Sequence, residues 1–179
     1  MQAPELDKIL PEHELKLELF TAFYRVTGLI KTNAYRTNGV LNTSNDHLLL
    51  DKVVTECLLR PQDSPISSGY CRIAKNSVVL AVPNDEPETE RLLRAAKIYN
   101  RGDLLQQRVL ISLGNFEVSG NLHLNQELAL ESVLLDRPEL FIGVTDVAVT
   151  FLPNLAFKFT AETILINKAC VEFICAGTP

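Results

Sequence analysis

Hydrophobic residues along most of the chain alternate with polar ones or form short apolar runs, and turn-forming residues separate them. Alternation and short β-branched runs of this kind are typical of strands. Two blocks of strands are predicted, over 24–83 and from 104 onward. The first contains YRVTGLIKT, AYRTNGVLNT, HLLLDKVVTECLLR, YCRIAKN and SVVLAVP. The second contains QRVLISLGN, FEVSGNLHLN, LALESVLLD, FIGVTDVAVTFLP, AETILIN and KACVEFICA.

Two segments carry a helical pattern instead. Residues 11–23 begin with a proline and acidic residues and place apolar residues at helical spacing, which predicts a helix. Leu15, Leu17 and Leu19 also alternate, so a strand is the competing interpretation. Residues 84–100 begin with Asn-Asp-Glu-Pro and end with basic residues, a stronger helix pattern. Each block of strands is therefore expected to follow a helix.

The order of helix and strands, repeated twice, predicts an internal repeat. Residues 33–41 and 114–122 both have an aromatic residue, a glycine four positions later and a leucine two beyond. The glycines are Gly39 and Gly120, expected within strands that bend sharply, with a hairpin glycine as the alternative. Segment 73–78 likewise aligns with 166–171. The predicted domains are residues 1–83 and residues 84–179.

The segment from Val109 to Leu122 resembles the first motif of the Sm family: alternating apolar residues, a turn, an aromatic residue and then Gly-x-Leu. The segment from Ile73 to Pro83 resembles the second motif, in the form found in the bacterial Sm-like RNA chaperones of the Hfq family. The resemblance implies a mainly β protein with short helices, made of two tandem small bent Sm-like barrels, each preceded by a helix. It also implies a homo-oligomer, ring-like or paired edge to edge.

The same resemblance implies a base-binding pocket in each half. It assigns nucleic-acid contacts to Asn45, His47, Lys75, Asn76, Gln126 and Lys168. A nucleobase pocket needs a stacking face and polar groups at the base edge, and His47 would supply the face. The formal net charge of −5 argues against generic nucleic-acid binding and favours a protein partner over RNA.

Motifs for catalysis are not found: the chain has no P-loop, no dinucleotide-binding glycine motif, no zinc-protease motif and no nucleophile elbow. No catalytic, metal or cofactor site is predicted. The four cysteines form no C-x-x-C pair and are expected as reduced, buried thiols in a cytoplasmic protein without signal peptide or membrane span. Asp146, within an apolar run, is expected on an exposed strand face shared with Val144.

These observations leave two hypotheses. The first is a non-enzymatic binding or assembly module that self-associates and binds a protein partner or RNA. The alternative is a small-molecule-binding or hydrolytic β-barrel whose polar residues converge only in three dimensions.

Overall fold

A computed structural model of the chain describes residues 12–84, 105–124 and 138–176. The prediction of a mainly β protein is confirmed, because ten strands form one antiparallel sheet in the order β10-β6-β7-β8-β9-β5-β1-β2-β3-β4. The elements are β1 (His13–Phe20), β2 (Tyr24–Thr32), α1 (Thr37–Leu41), β3 (His47–Cys57), β4 (Ile66–Ala74), β5 (Leu80–Pro83), β6 (Leu105–Leu113), β7 (Phe116–Leu124), β8 (Phe141–Phe151), β9 (Lys158–Asn167) and β10 (Phe173–Ala176).

The helix predicted over residues 11–23 is wrong, because β1 occupies this segment as a strand. Leu15, Leu17 and Leu19 are buried on one side of it. β1 pairs with β2 along one edge and with β5 along the other. Both edges of the strand therefore have backbone partners, and the period-two burial of its leucines is the pattern that a sheet requires.

A second correction concerns Gly39. The segment AYRTNGVLNT was predicted as a strand, but Gly39 lies in α1, a helix whose Val40 and Leu41 are buried. The proposed bend at Gly39 is therefore wrong. Gly120, by contrast, lies in the interior of β7. The predicted helix beyond Asn84 and the predicted strand LALESVLLD lie outside the described residues.

β-Bulges accompany two strand glycines. The register shifts between Ser119 and Asn121, opposite Asp146, whose φ is 50°. The extra residue leaves Asp146 exposed, as predicted, but it also reverses the alternation, so that Val144 is buried instead of sharing the exposed face. A matching shift occurs across Gly28, where the bulged residue of β3 has a φ of 51°. Gly28, and not Gly39, thus occupies the position in the first half that Gly120 occupies in the second.

The two halves of the sheet have the same strand order. The first half reads β5-β1-β2-β3-β4 and the second reads β10-β6-β7-β8-β9. In each half a short 3-10 turn, Lys75–Ser77 or Lys168–Cys170, follows the fourth strand. The halves meet where β5 pairs with β9.

Each half contributes to the hydrophobic core of the other. The core of the second half also contains four residues of the first: Phe20, Leu58, Val79 and Leu80. The core of the first half contains Phe141 and Leu165. The described residues contain no helix that is both long and apolar enough to cross a membrane.

Candidate functional site

A groove in the first half encloses about 810 Å³. Its walls come from the end of β2, the segment around α1, the outer face of β3 and one residue of β4. The polar and aromatic side chains that line it include Lys31, Asn33, Asn45, His47, Asp51 and Tyr70. Two of the predicted site residues, Asn45 and His47, are therefore brought together, and Tyr70 adds an aromatic side chain that is 67% exposed.

His47 stands at the start of β3 and is oriented by its neighbours. Its Nδ1 lies 2.5 Å from Oδ1 of Asp46. This hydrogen bond, together with the charge of the imidazole, lowers the pKa of the Asp46 carboxyl below its usual value. The guanidinium of Arg72, on the adjacent strand β4, lies 3.5 Å from the same ring nitrogen. The imidazole is thus held at the groove wall by Asp46, the residue before β3, with the Arg72 guanidinium of β4 beside it.

Lys75 lies beneath the groove and not on its wall, because it is only 2% exposed. Its ammonium donates hydrogen bonds to the carbonyl oxygen of Thr43 at 2.9 Å and to its hydroxyl at 2.7 Å. Its backbone N–H donates to the carbonyl of Asp46. Burial lowers the pKa of Lys75, against the opposing charge of Asp46. The geometry supports a positioning role, in which Lys75 holds the segment 43–46 that carries Asn45.

The remaining predicted residues lie elsewhere. Asn76 is exposed in the 3-10 turn after β4 and does not line the groove. Lys168 lies at the matching turn after β9, with its backbone N–H bonded to the carbonyl of Leu140. Gln126 falls outside the described residues. The structure therefore does not bring Asn76 or Lys168 to the groove.

In the second half, the positions that match Asp46 and His47 hold Leu140 and Phe141. The match follows from the 3-10 turns: the backbone N–H of Lys75 donates to the carbonyl of Asp46 in one half, and that of Lys168 donates to the carbonyl of Leu140 in the other. Phe141 is 1% exposed. Its backbone N–H donates to Oδ1 of Asn42 at 2.9 Å, and its carbonyl accepts from Nδ2 of Asn42 at 3.0 Å. This position therefore joins the two halves and does not line an open pocket.

Asn167, at the end of β9, forms further hydrogen bonds across the same junction. It is fully buried, and its Nδ2 donates to the carbonyl of Val78 at 2.8 Å and to that of Lys75 at 3.3 Å. Its Oδ1 accepts from the N–H of Ala169 at 2.9 Å. Sequence reasoning missed Asn42, Asn167 and Tyr70. The signal for Tyr70 was strand alternation, which places it opposite Asp51 on the outer face of β4.

The chemistry that the groove offers is hydrogen bonding and aromatic stacking. Within 12–84, 105–124 and 138–176, no three His, Cys, Asp or Glu side chains are grouped so that they could hold a metal ion. The amides of Asn33 and Asn45 offer both donors and acceptors. Lys31 is offset by the carboxylates of Glu12 and Asp51, so the lining carries both signs of charge. The chain matches no protein-family model, and no curated protein and no solved structure matches it.

Proposed function

We propose that the chain is a non-enzymatic binding and assembly module, made of two diverged Sm-like units, that self-associates edge to edge and binds a protein partner or RNA. One observation carries this proposal: the two strands that pair at the junction between the halves each have an equivalent strand at an end of the sheet, and among the described residues those end strands have no further strand partner. β5 pairs with β9 inside the chain, while β10 and β4, the equivalent strands, are the terminal strands. Sheet edges with unpaired backbone groups are templates for further pairing.

Exposure of side chains at the terminal strands supports the proposal. At the internal junction Leu80 pairs with Ile166, and both are fully buried. Lys168 lies 93 positions after Lys75, and the same offset relates Leu80 to Phe173. Phe173 is 51% exposed on β10, where the described residues place no further strand. A second copy paired along β10 would cover this ring as the second half covers Leu80.

At two further positions, a side chain packs at the internal junction while its counterpart in the other half is exposed. Phe20 stacks on Phe159 across the junction, with ring centroids 5.3 Å apart. The residue of β4 that matches Phe159 is Ile66, and it is 65% exposed. Leu58 is 2% exposed at the junction, whereas the matching Leu152 is 44% exposed. Large apolar side chains left exposed on complementary edges favour association.

Pairing β10 of one chain with β4 of the next is a head-to-tail contact, because the two surfaces differ. Such heterologous contacts produce rings when the rotation closes and open filaments when it does not. Three chains would place six units in one ring. The apolar positions above supply the driving force, and the backbone groups of both edges gain partners.

The groove in the first half is the proposed ligand-binding surface. Tyr70 and the half-exposed apolar face of β3 resemble the aromatic and apolar composition that interfaces favour. The lining contains one lysine against two carboxylates, Glu12 and Asp51. Because RNA binding depends on neutralising phosphates with basic side chains, this balance favours a protein partner over RNA.

The decisive experiment is the solution mass by light scattering, in reductant and over a wide range of concentration, for the wild type and two lysine variants. Phe173→Lys should give a monomer, because an ammonium would have to be buried without a partner in the adjoining core. Leu155→Lys is the matched control, since Leu155 is 60% exposed in the turn between β8 and β9, lies on neither terminal strand and is not one of the matched positions above. A wild type that stays monomeric at every concentration would refute self-association.

The ligand is tested in the same preparation. We expect an absorbance ratio at 260 and 280 nm typical of protein free of nucleic acid, and no binding of a fluorescent single-stranded RNA by anisotropy. RNA binding that is lost in Tyr70→Ala and retained in Tyr70→Phe would instead assign the groove to nucleobase stacking.

A further inference from the structure

We infer that Cys175 of one chain lies opposite Cys71 of the next in the assembly, and that oxidation joins them in a disulfide between chains. The inference rests on the proposed edge-to-edge association and adds to it the register and a covalent bond. Cys175 is exposed on β10 and Cys71 is partly buried on β4. β10 and β4 are the two terminal strands of the ten-stranded sheet, so within one chain eight strands separate the two thiols.

The internal junction supplies the register. There Leu80 pairs with Ile166 and Ala81 pairs with Leu165. The two 3-10 turns, at Lys75 and Lys168, are 93 positions apart. Adding 93 to a residue number in β5 therefore gives the matching residue of β10, and subtracting 93 from a residue number in β9 gives the matching residue of β4. The pair that matches Leu80 and Ile166 is then Phe173 with Ile73. The pair that matches Ala81 and Leu165 is Ile174 with Arg72. The next pair in the same antiparallel register is Cys175 with Cys71.

The geometry of this pair suits a disulfide. Asn167 donates its N–H to the carbonyl of Val79 at 2.9 Å, so that position is a hydrogen-bonded pair of the junction. Antiparallel pairs alternate, and the pair three residues along, which matches the cysteines, is therefore non-hydrogen-bonded. Residues in such a pair have Cα atoms about 4.5 Å apart, within the roughly 4.4–6.8 Å that disulfides require.

Both thiols also lie on the same face of the extended sheet. Cys71 packs against the core of the first half and pairs with the fully buried Leu50. Cys175 shares the face of Phe173, two residues before it, whereas Ile174 packs against the core of its own half. In the assembly, Phe173 would cover the open end of the neighbouring core, and Cys175 would reach the same face beside it.

The other two cysteines cannot make this bond, because neither lies on a terminal strand. Partial burial disfavours ionisation of Cys57, but hydrogen bonds from the Arg60 side chain and from backbone groups outweigh it and lower the pKa of the thiol. Burial raises the pKa of the Cys170 thiol. Cys57 is therefore the thiol that would compete for an oxidant, and the test removes it.

The oxidant is a low-molecular-weight disulfide such as oxidised glutathione. The Cys175 thiolate attacks one of its sulfur atoms, forming a mixed disulfide and releasing one small thiol. The Cys71 thiolate of the neighbouring chain then attacks Sγ of Cys175, forming the bond between chains and releasing the second small thiol. Two protein thiols lose two electrons, the small disulfide gains them, and the two protons end on the released thiols. In a reducing cytoplasm both thiols stay reduced, so the disulfide forms only under oxidising conditions.

The test uses the full chain carrying Cys57→Ser and Cys170→Ser, so that only Cys71 and Cys175 remain. After treatment with oxidised glutathione, non-reducing electrophoresis should show covalent oligomers that reductant dissolves. Mass spectrometry of the digest should identify the peptide pair that contains Cys71 and Cys175. Adding Cys71→Ser, Cys175→Ser or Phe173→Lys should abolish that linkage.

The outcomes separate the two proposals. If the reduced protein associates by light scattering but no linkage of Cys71 to Cys175 forms on oxidation, the disulfide is refuted and the proposed association stands. Linkages of Cys175 to Cys175 or of Cys71 to Cys71 would overturn the register. A reduced protein that is monomeric and forms no cross-link would refute both.

Discussion

Replacing Gly120 by alanine tests how closely β7 approaches the bulge in β8. An ideal Cβ at position 120 would lie 2.6 Å from Cγ1 of Val144, 2.6 Å from Cγ1 of Val147 and 2.9 Å from the carbonyl oxygen of Thr145. Both valines are buried, at 0% and 3% exposure. Their β-branched side chains have restricted rotamers, so neither can easily move away from the added methyl group.

The expected cost follows from these distances. Forcing extra volume into a packed core costs about 1–3 kcal/mol, and a clash with both side chains and backbone belongs at the upper end. Removing a glycine also reduces the conformational entropy of the unfolded chain, which stabilises the folded state by about 0.4–1 kcal/mol. The net loss is then about 2 kcal/mol, which corresponds to a fall in Tm of roughly 4–8 °C for a chain of this size.

Thermal unfolding followed by circular dichroism measures this shift. Gly69→Ala is the matched control, because Gly69 is also in a strand but has no atom within 4 Å of the added Cβ. Gly39→Ala, in α1, should lower Tm less than Gly120→Ala, because alanine is the better helix former and its Cβ meets only that of Ala34, at 3.3 Å. Equal melting temperatures for Gly120→Ala and Gly69→Ala would refute the steric argument.

Three further predictions concern the junction and the groove. Asn167→Ala should lower the free energy of unfolding, measured with urea, by about 2 kcal/mol, since buried carbonyl groups lose their donor; an unchanged urea midpoint would contradict this. Because folding lowers the pKa of Lys75, the unfolded chain binds its proton more tightly, and the stability of wild type relative to Lys75→Met should rise with pH between the folded pKa and 10.5; a flat difference would exclude it. Because the hydrogen bond to His47 lowers the pKa of Asp46, the wild type should have a higher free energy of unfolding than Asp46→Asn above pH 3.8. This difference should disappear as the pH falls through the folded pKa of Asp46; equal urea curves at neutral pH would contradict this.

The candidate site was predictable only in part. Asn45 and His47 were placed together from the family resemblance, and both line the groove. The burial of Lys75 was not predictable, because a lysine before an apolar strand reads as a surface residue until the loop that accepts its hydrogen bonds is known. Tyr70 was missed because it comes from a strand that meets the groove only after β3 and β4 pair.

The sequence by itself determined where most strands lie, since alternating side chains and turn residues are local signals. It also predicted the exposure of Asp146, but the structure exposes this side chain through a bulge that leaves Val144 buried, and not through the simple alternation assumed from the sequence. Only the tertiary structure decided that residues 13–20 are a strand, because partners on both edges outweigh a helical spacing that is present in the same residues. It alone placed Gly39 in a helix, joined β5 to β9 and left Phe173 exposed, since these outcomes depend on segments distant in sequence that meet only in the folded sheet.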